Sequence, residues 1–177
     1  MKSIPLNGYY SPDTALGCYS AALANLLVSL GDVNTAKKVY ETYPTHKLVG
    51  KDGIMHVGVA TRVVRELTNG QYEGILHLGS KDLEGMCTEE IFGDKKDATL
   101  TALREEMSAD YVRHHTGSLA HDGRSSIYWI QRSSGGGHWV VPNTDEDYYI
   151  DNGVLKWPLE DLEVTGVLEL RKVNLNR

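Results

Sequence analysis

The run ALGCYSAALANLLVSL, residues 15–30, is apolar on nearly every side of a helical projection. A helix without a polar face is buried on every face. The pattern therefore predicts a central core helix over 15–30, with Asp13 and Thr14 available as N-caps and Gly31 as the stop. Val33, Ala36, Val39, Tyr40 and Tyr43 then recur at helical spacing and end before Pro44. Val57, Ala60, Val63, Val64 and Leu67 draw an amphipathic helix over 56–68, which Asn69-Gly70 stops. Leu100, Leu103 and Met107 mark another over 98–112. Between these, 45–55 read as loop, YEGILHL at 72–78 as a strand, 79–97 as charged chain without a clear period, and 114–124 as polar loop. Residues 1–13, punctuated by Pro5, Gly8 and Pro12, read as loop or a short strand.

The period changes after Arg124. SSIYWIQR (125–132), HWVV (138–141, bounded by Pro142), DYYID (147–151), VLKW (154–157) and VTGVLELRKV (164–173) all have strand character. Asn152-Gly153 between two of them is a strong hairpin signal. Pro158–Leu162 reads as a helical turn. The expectation is an α+β fold in one domain, 1–177, with 1–115 mainly helical, 123–173 mainly β, and the buried N-terminal helix packed on a C-terminal antiparallel sheet.

Composition narrows the classes. A chain of 177 residues suits one domain, and 41% apolar with 24% charged residues is ordinary globular usage. No run approaches the roughly 18 apolar residues of a membrane span. A net charge of -6 and a pI of about 5.6 lack the basic footprint of a nucleic-acid binder. No apolar leader follows Met1, so the expected location is cytoplasmic, or outside it by a signal not visible in the sequence. Two cysteines, Cys18 and Cys87, in such a chain make no disulfide framework and are expected to be free.

Three residues suggest chemistry. Cys18 stands near the start of the most buried helix, where orphan N–H groups and the helix dipole favour a thiolate. His138 follows Gly135-Gly136-Gly137 and opens a strand, which holds an imidazole rigidly. Asp151 ends the neighbouring strand against Asn152-Gly153, placed to orient the ring. Each has an ordinary structural use alone: a small core hydrophobe, a hairpin-end histidine, a turn-forming aspartate. In this order they compose a set for thiol acyl transfer. A thiolate attacks a carbonyl carbon, an imidazolium protonates the leaving amine, and water resolves the thioester. Asn143 is a second candidate for orienting His138.

Other side chains carry weaker signals. His77, Cys87, His114, His115 and His121 are enough donors for zinc, but no Cys-x-x-Cys or His-Glu-x-x-His spacing joins them, so neither metal nor cofactor is expected. Glu89-Glu90 and Glu105-Glu106 read as solvated helix faces, Cys87 as a structural thiol, and Trp139 as core.

The run LGCYSAALANLL resembles the nucleophile helix of papain-like cysteine peptidases of the bacteriocin-processing type. GGGHWVVPN followed by YYIDNG resembles their histidine and aspartate strands, and WPLEDLEVTGVLEL their last helical turn and strand. The likeness covers 18–31 and 125–172. It implies a papain-like fold, a peptide or protein substrate, and a triad of Cys18 as nucleophile, His138 as base and Asp151 as orienting residue. The family carries a Gln upstream of its Cys, whose amide helps form the oxyanion hole. Pro12 stands there in this chain, and Asn7, the only upstream amide side chain, is the oxyanion candidate beside the Cys18 N–H. Gly17 and Tyr19 replace the usual Asp and Gly around the Cys, and Asn152 replaces the usual Pro after the Asp. The resemblance implies a thiol hydrolase of peptide or amide bonds. A deamidase, an acyltransferase or effector toxin on the same triad, and an inactive peptide-binding relative are the alternatives.

Overall fold

The computed structural model describes residues 2–5, 9–11, 17–49, 57–79, 87, 93–116, 119, 124–131 and 137–174. Among them are four α-helices: α1 (Cys18–Ser29), α2 (Val33–Thr42), α3 (Ala60–Leu67) and α4 (Lys96–Ser108). The strands are β1 (Lys2–Pro5), β2 (Tyr72–Leu78), β3 (Val112–His114), β4 (Ser126–Gln131), β5 (Gly137–Asn143), β6 (Tyr148–Asp151), β7 (Val154–Trp157) and β8 (Val164–Lys172). They form one eight-stranded sheet in the order β1-β7-β6-β5-β4-β8-β2-β3. Every neighbouring pair is antiparallel except β2–β3. The fold is thus mixed α+β.

α1 begins at Cys18, later than the apolar pattern suggested. Gly17 is its N-cap and supplies no side-chain hydrogen bond, while Asp13 and Thr14 lie outside the described residues. Its nine residues Tyr19–Leu27 are all buried, as a helix without a polar face requires. Burying a leucine such as Leu23 or Leu27 stabilises the fold by about 1.5–3 kcal/mol. The helix ends in a Schellman closure: Gly31, at φ +86, donates to Val28 O, and the Asp32 N–H donates to Leu27 O. Asp32 then caps α2 by accepting from the Thr35 N–H at 3.2 Å.

α1 packs on β5, β4 and β6, with α2 beside it, and α3 covers β2. The strands alternate accordingly. Ile127, Trp129, Trp139, Val141, Ile150 and Leu168 join the helix-side core, whereas Tyr128, Ile130, Val140, Tyr149 and Val167 form a second cluster. Trp139 is core as expected and meets Tyr19 edge-on at 5.3 Å.

Several expectations need correction. The sheet is not confined to the C-terminal part, because β2, at the expected 72–78, joins it together with β1 and the unexpected β3. The expected helix over 98–112 closes at Ala109. Asp110 takes φ +64 there, the Tyr111 N–H returns to Glu106 O, and the chain leaves as β3. β5 runs past Pro142 to Asn143. The β4–β5 ladder has already ended at the Tyr128–Val140 pair, so no N–H is needed on that side of Pro142. Glu106 is no solvated side chain: it takes two 3.0 Å hydrogen bonds from Arg65 and one of 2.6 Å from Thr61, joining α4 to α3. Glu89-Glu90 lie outside the described residues.

Candidate active site

The Asn152-Gly153 turn sets the geometry of the site. Asn152 at φ +51 and Gly153 at φ +83 form the type I′ arrangement that right-twisted strands favour. This pairs Asp151 with Val154, Ile150 with Leu155 and Tyr149 with Lys156. On the other side of β6, Val141 pairs with Ile150. One step along each strand, Asp151 falls diagonal to His138 on β5 and diagonal to Lys156 on β7, all on one face. Diagonal neighbours in a sheet are within reach of long side chains.

The side chains use that reach. His138 Nε2 lies 2.6 Å from Asp151 Oδ1, and Lys156 Nζ donates to Asp151 Oδ2 at 2.7 Å. His138 is 2% exposed and Asp151 9%. Burial pushes the Asp151 carboxyl up, but hydrogen bonds from His138 and Lys156, and their charges, outweigh it and hold the group at about 2. Asp151 therefore has no proton to give near neutrality, so Nε2–H is the donor and the imidazole tautomer is set.

With Nε2 occupied, Nδ1 is left for the thiol of Cys18, which hydrogen-bonds to His138 from the first residue of α1. Burial lowers the proton affinity of His138. The Asp151 and Cys18 hydrogen bonds and charges more than offset it, so the imidazole titrates above its ordinary value of 6.5. Cys18 is half-buried and Cys87 buried, and both are free thiols. The arrangement runs thiol, imidazole, carboxylate and ammonium in one chain of contacts. It can take a proton from sulfur, hold it as imidazolium and return it to a leaving group.

Gly137 has a specific reason to be glycine. A Cβ there would stand 1.9 Å from Nε1 of Trp129, so the indole lies directly over the residue before His138. Gly135 and Gly136 lie outside the described residues.

Upstream of Cys18, residues 9–11 are fastened from three sides. The Asn25 side chain accepts from the Tyr10 N–H at 2.6 Å and donates to Tyr10 O at 2.9 Å. Tyr40 donates to Ser11 O at 2.5 Å. The Tyr10 carbonyl also stands 3.1 Å from where a Cβ on Gly153 would be, so this segment rests on the turn that follows Asp151.

Cys18, His138 and Asp151 thus come together. Asn143 does not join them: it donates to the Tyr148 hydroxyl at 3.0 Å and accepts from the Glu146 N–H at 3.1 Å, holding its own turn. Asn7, the oxyanion candidate, lies outside the described residues, as do Pro12 and His121. Of the zinc candidates, His77 Nδ1 lies 2.9 Å from His115 Nε2, and His77 Nε2 lies 3.3 Å from Glu169. Among the described residues no group of three or more His, Cys, Asp or Glu is placed to hold a metal ion. No helix among them is long and apolar enough to cross a membrane.

The sequence pattern missed Lys156 and Asn25. A lone lysine in VLKW reads as a surface position, and only the strand register reveals its partner. Asn25 did leave a signal, being the one amide in an otherwise apolar helix, where a buried amide must be satisfied. Comparison of the chain with protein-family models, with curated proteins and with solved structures returned no match.

Proposed function

We propose that the protein is a thiol hydrolase of papain-like architecture that cleaves a peptide or amide bond through Cys18, His138 and Asp151. One observation carries this reading. A half-buried thiol at the first residue of a helix hydrogen-bonds to an imidazole whose other nitrogen is 2.6 Å from an ionised, buried carboxylate. The likeness of 18–31 and 125–172 to bacteriocin-processing peptidases supports the same assignment.

Cys18 passes its proton to Nδ1 of His138, and the helix start favours negative charge on the sulfur. The sulfur attacks the carbonyl carbon, and the Cys18 N–H and its neighbours in the first turn, which have no intrahelical acceptor, face the developing oxyanion. The His138 imidazolium gives its proton to the leaving amine as the carbon–nitrogen bond breaks, leaving a thioester on Cys18. His138, now neutral, takes a proton from water as hydroxide adds to the thioester carbon. The acid departs, and the thiolate–imidazolium pair returns. Deamidation and acyl transfer use the same thioester and differ only in the amine lost or the acceptor that resolves it.

The test is the rate of Cys18 alkylation by iodoacetamide from about pH 4 to 9 in a Cys87→Ser background, with and without His138→Ala. A reactivity step well below the free-thiol pKa of about 8.5, lost with the imidazole, is the expected result. A single rise near 8.5 that ignores His138 would overturn the proposal and leave an inactive binding module as the better reading.

A further inference from the structure

Lys156 has no part in the three-residue mechanism, yet its ammonium occupies the second oxygen of the orienting carboxylate. The consequence follows from counting charge around the proposed cycle. With the proton on sulfur, the group reads neutral Cys18, neutral His138, Asp151⁻ and Lys156⁺. With the proton on the ring, it reads Cys18⁻, His138⁺, Asp151⁻ and Lys156⁺. Both states sum to zero. In the thioester stage His138 is neutral and no thiolate remains. Without Lys156, Asp151 would then be a buried carboxylate with no cationic partner in the row, and a bare buried charge is costly.

We propose that Lys156 is a positioning residue of the proposed reaction: it keeps Asp151 ionised and aimed at Nε2 while His138 is neutral, and it moderates the hold of Asp151 on the imidazolium proton so that His138 can release it. This rests on the reading of Cys18, His138 and Asp151 as a catalytic set. The register puts Lys156 where it must be, directly opposite Tyr149 and diagonal to Asp151. Its side chain is 28% exposed against 11% for Asp151, so the ammonium keeps one side toward water while its hydrogen bond points inward.

Among the described residues, the titratable groups facing Asp151 are His138 on β5, Lys156 on β7 and Tyr149 on its own strand. Cys18 faces His138 from α1, and Asp161 acts on Tyr149 from the turn before β8. Lys156 is the cation in that set besides the imidazolium itself. Removing it acts on His138 with one sign by two routes. The direct repulsion between ammonium and imidazolium disappears, and the attraction of Asp151 for the imidazolium is no longer shared. Both raise the pH at which His138 loses its proton.

The experiment follows the imidazole resonance of His138 by NMR across pH in the full chain, assigned by its absence in His138→Gln. Lys156→Met is expected to raise the His138 midpoint by about 0.5 pH unit or more. Lys156→Arg, which keeps the charge, is expected to restore it. Lys156→Gln keeps a donor for Oδ2 without the charge; it separates contact from charge and replaces the methionine variant if that one unfolds. A midpoint unmoved or lowered in a folded Lys156→Met or Lys156→Gln protein overturns the inference. The alkylation profile is read on the same samples, to show whether the thiol keeps its His138-dependent step. If the wild-type thiol shows no His138-dependent step while the midpoint still follows Lys156, the reaction falls and the charge pairing stands. If the step is present and the midpoint ignores Lys156, the pairing falls and the reaction stands.

Discussion

His138 and Asp151 are separated by 13 residues and lie on adjacent strands, yet Nε2 and Oδ1 are 2.6 Å apart in a nearly dry site. The contact is therefore a stability element as well as a chemical one. The folded carboxyl sits at about 2, against 3.8 for the free group. The folded state binds this proton less tightly than the unfolded chain, so the stabilisation is present above about pH 4 and is lost as pH falls toward 2.

Asp151→Asn keeps the shape and discards the charge. Urea unfolding at pH 6 should show the variant less stable than wild type by on the order of 2 kcal/mol, with the gap closing between about pH 4 and 2. A gap that is constant across this range would show that Asp151 does not stay ionised by pairing.

His138 carries the opposite sign. Its folded value lies above 6.5, so the protonated ring is bound more tightly in the folded state. That stabilisation is fully present below about 6.5 and is lost as pH rises through the folded value. The stability difference between wild type and His138→Gln should accordingly be larger at pH 6 than at pH 9. Equal differences at both values would contradict the tight pairing of the ring with Asp151 and Cys18.

The parts of this site differ in how much of them the chain discloses. α1 could be read because 15–30 has no polar face, and the β6–β7 hairpin because Asn152-Gly153 demands positive φ at both positions. The approach of Asp151 to His138 follows from the period of two along each strand once β5 is also paired to β6, with Val141 opposite Ile150. β3 could not be read, since three residues carry no period and follow directly from a helical stripe. Lys156 was hidden because its partner is set by register, not by spacing along one element. Glu106 was hidden in the same way: Arg65 and Thr61 reach it from a helix 41 and 45 residues earlier.

Gly137 should resist enlargement. Gly137→Ala places a methyl where the Trp129 indole now lies, 1.9 Å from Nε1. Trp129 is 5% exposed and is a rigid ring, so the accommodation falls on the β4–β5 pair itself. A loss of about 1–3 kcal/mol is expected, with a shift in tryptophan fluorescence. His138 is the next residue, so the alkylation rate of Cys18 should fall as well. An alanine variant with unchanged stability and emission would mean that the indole is not held over the strand.

Asn25 tests whether the segment before the nucleophile is fastened as described. Asn25→Leu matches its size but leaves the Tyr10 N–H and carbonyl without their partners, at a cost of about 2 kcal/mol. Asn25→Asp is the sharper probe. A carboxylate still accepts from the Tyr10 N–H, but it turns a second negative oxygen toward the Tyr10 carbonyl in a position only 1% exposed. Burial and that repulsion both favour the protonated acid, which can donate to the carbonyl as the amide does. The Asp variant should thus be clearly less stable than wild type at pH 7 and recover part of the deficit near pH 5, when each is compared with wild type at the same pH. If the deficit is the same at both values, the side chain does not bridge the two backbone groups of Tyr10, and residues 9–11 are held by Tyr40, the Gly153 turn and the packing of Tyr9 and Tyr10 on the core.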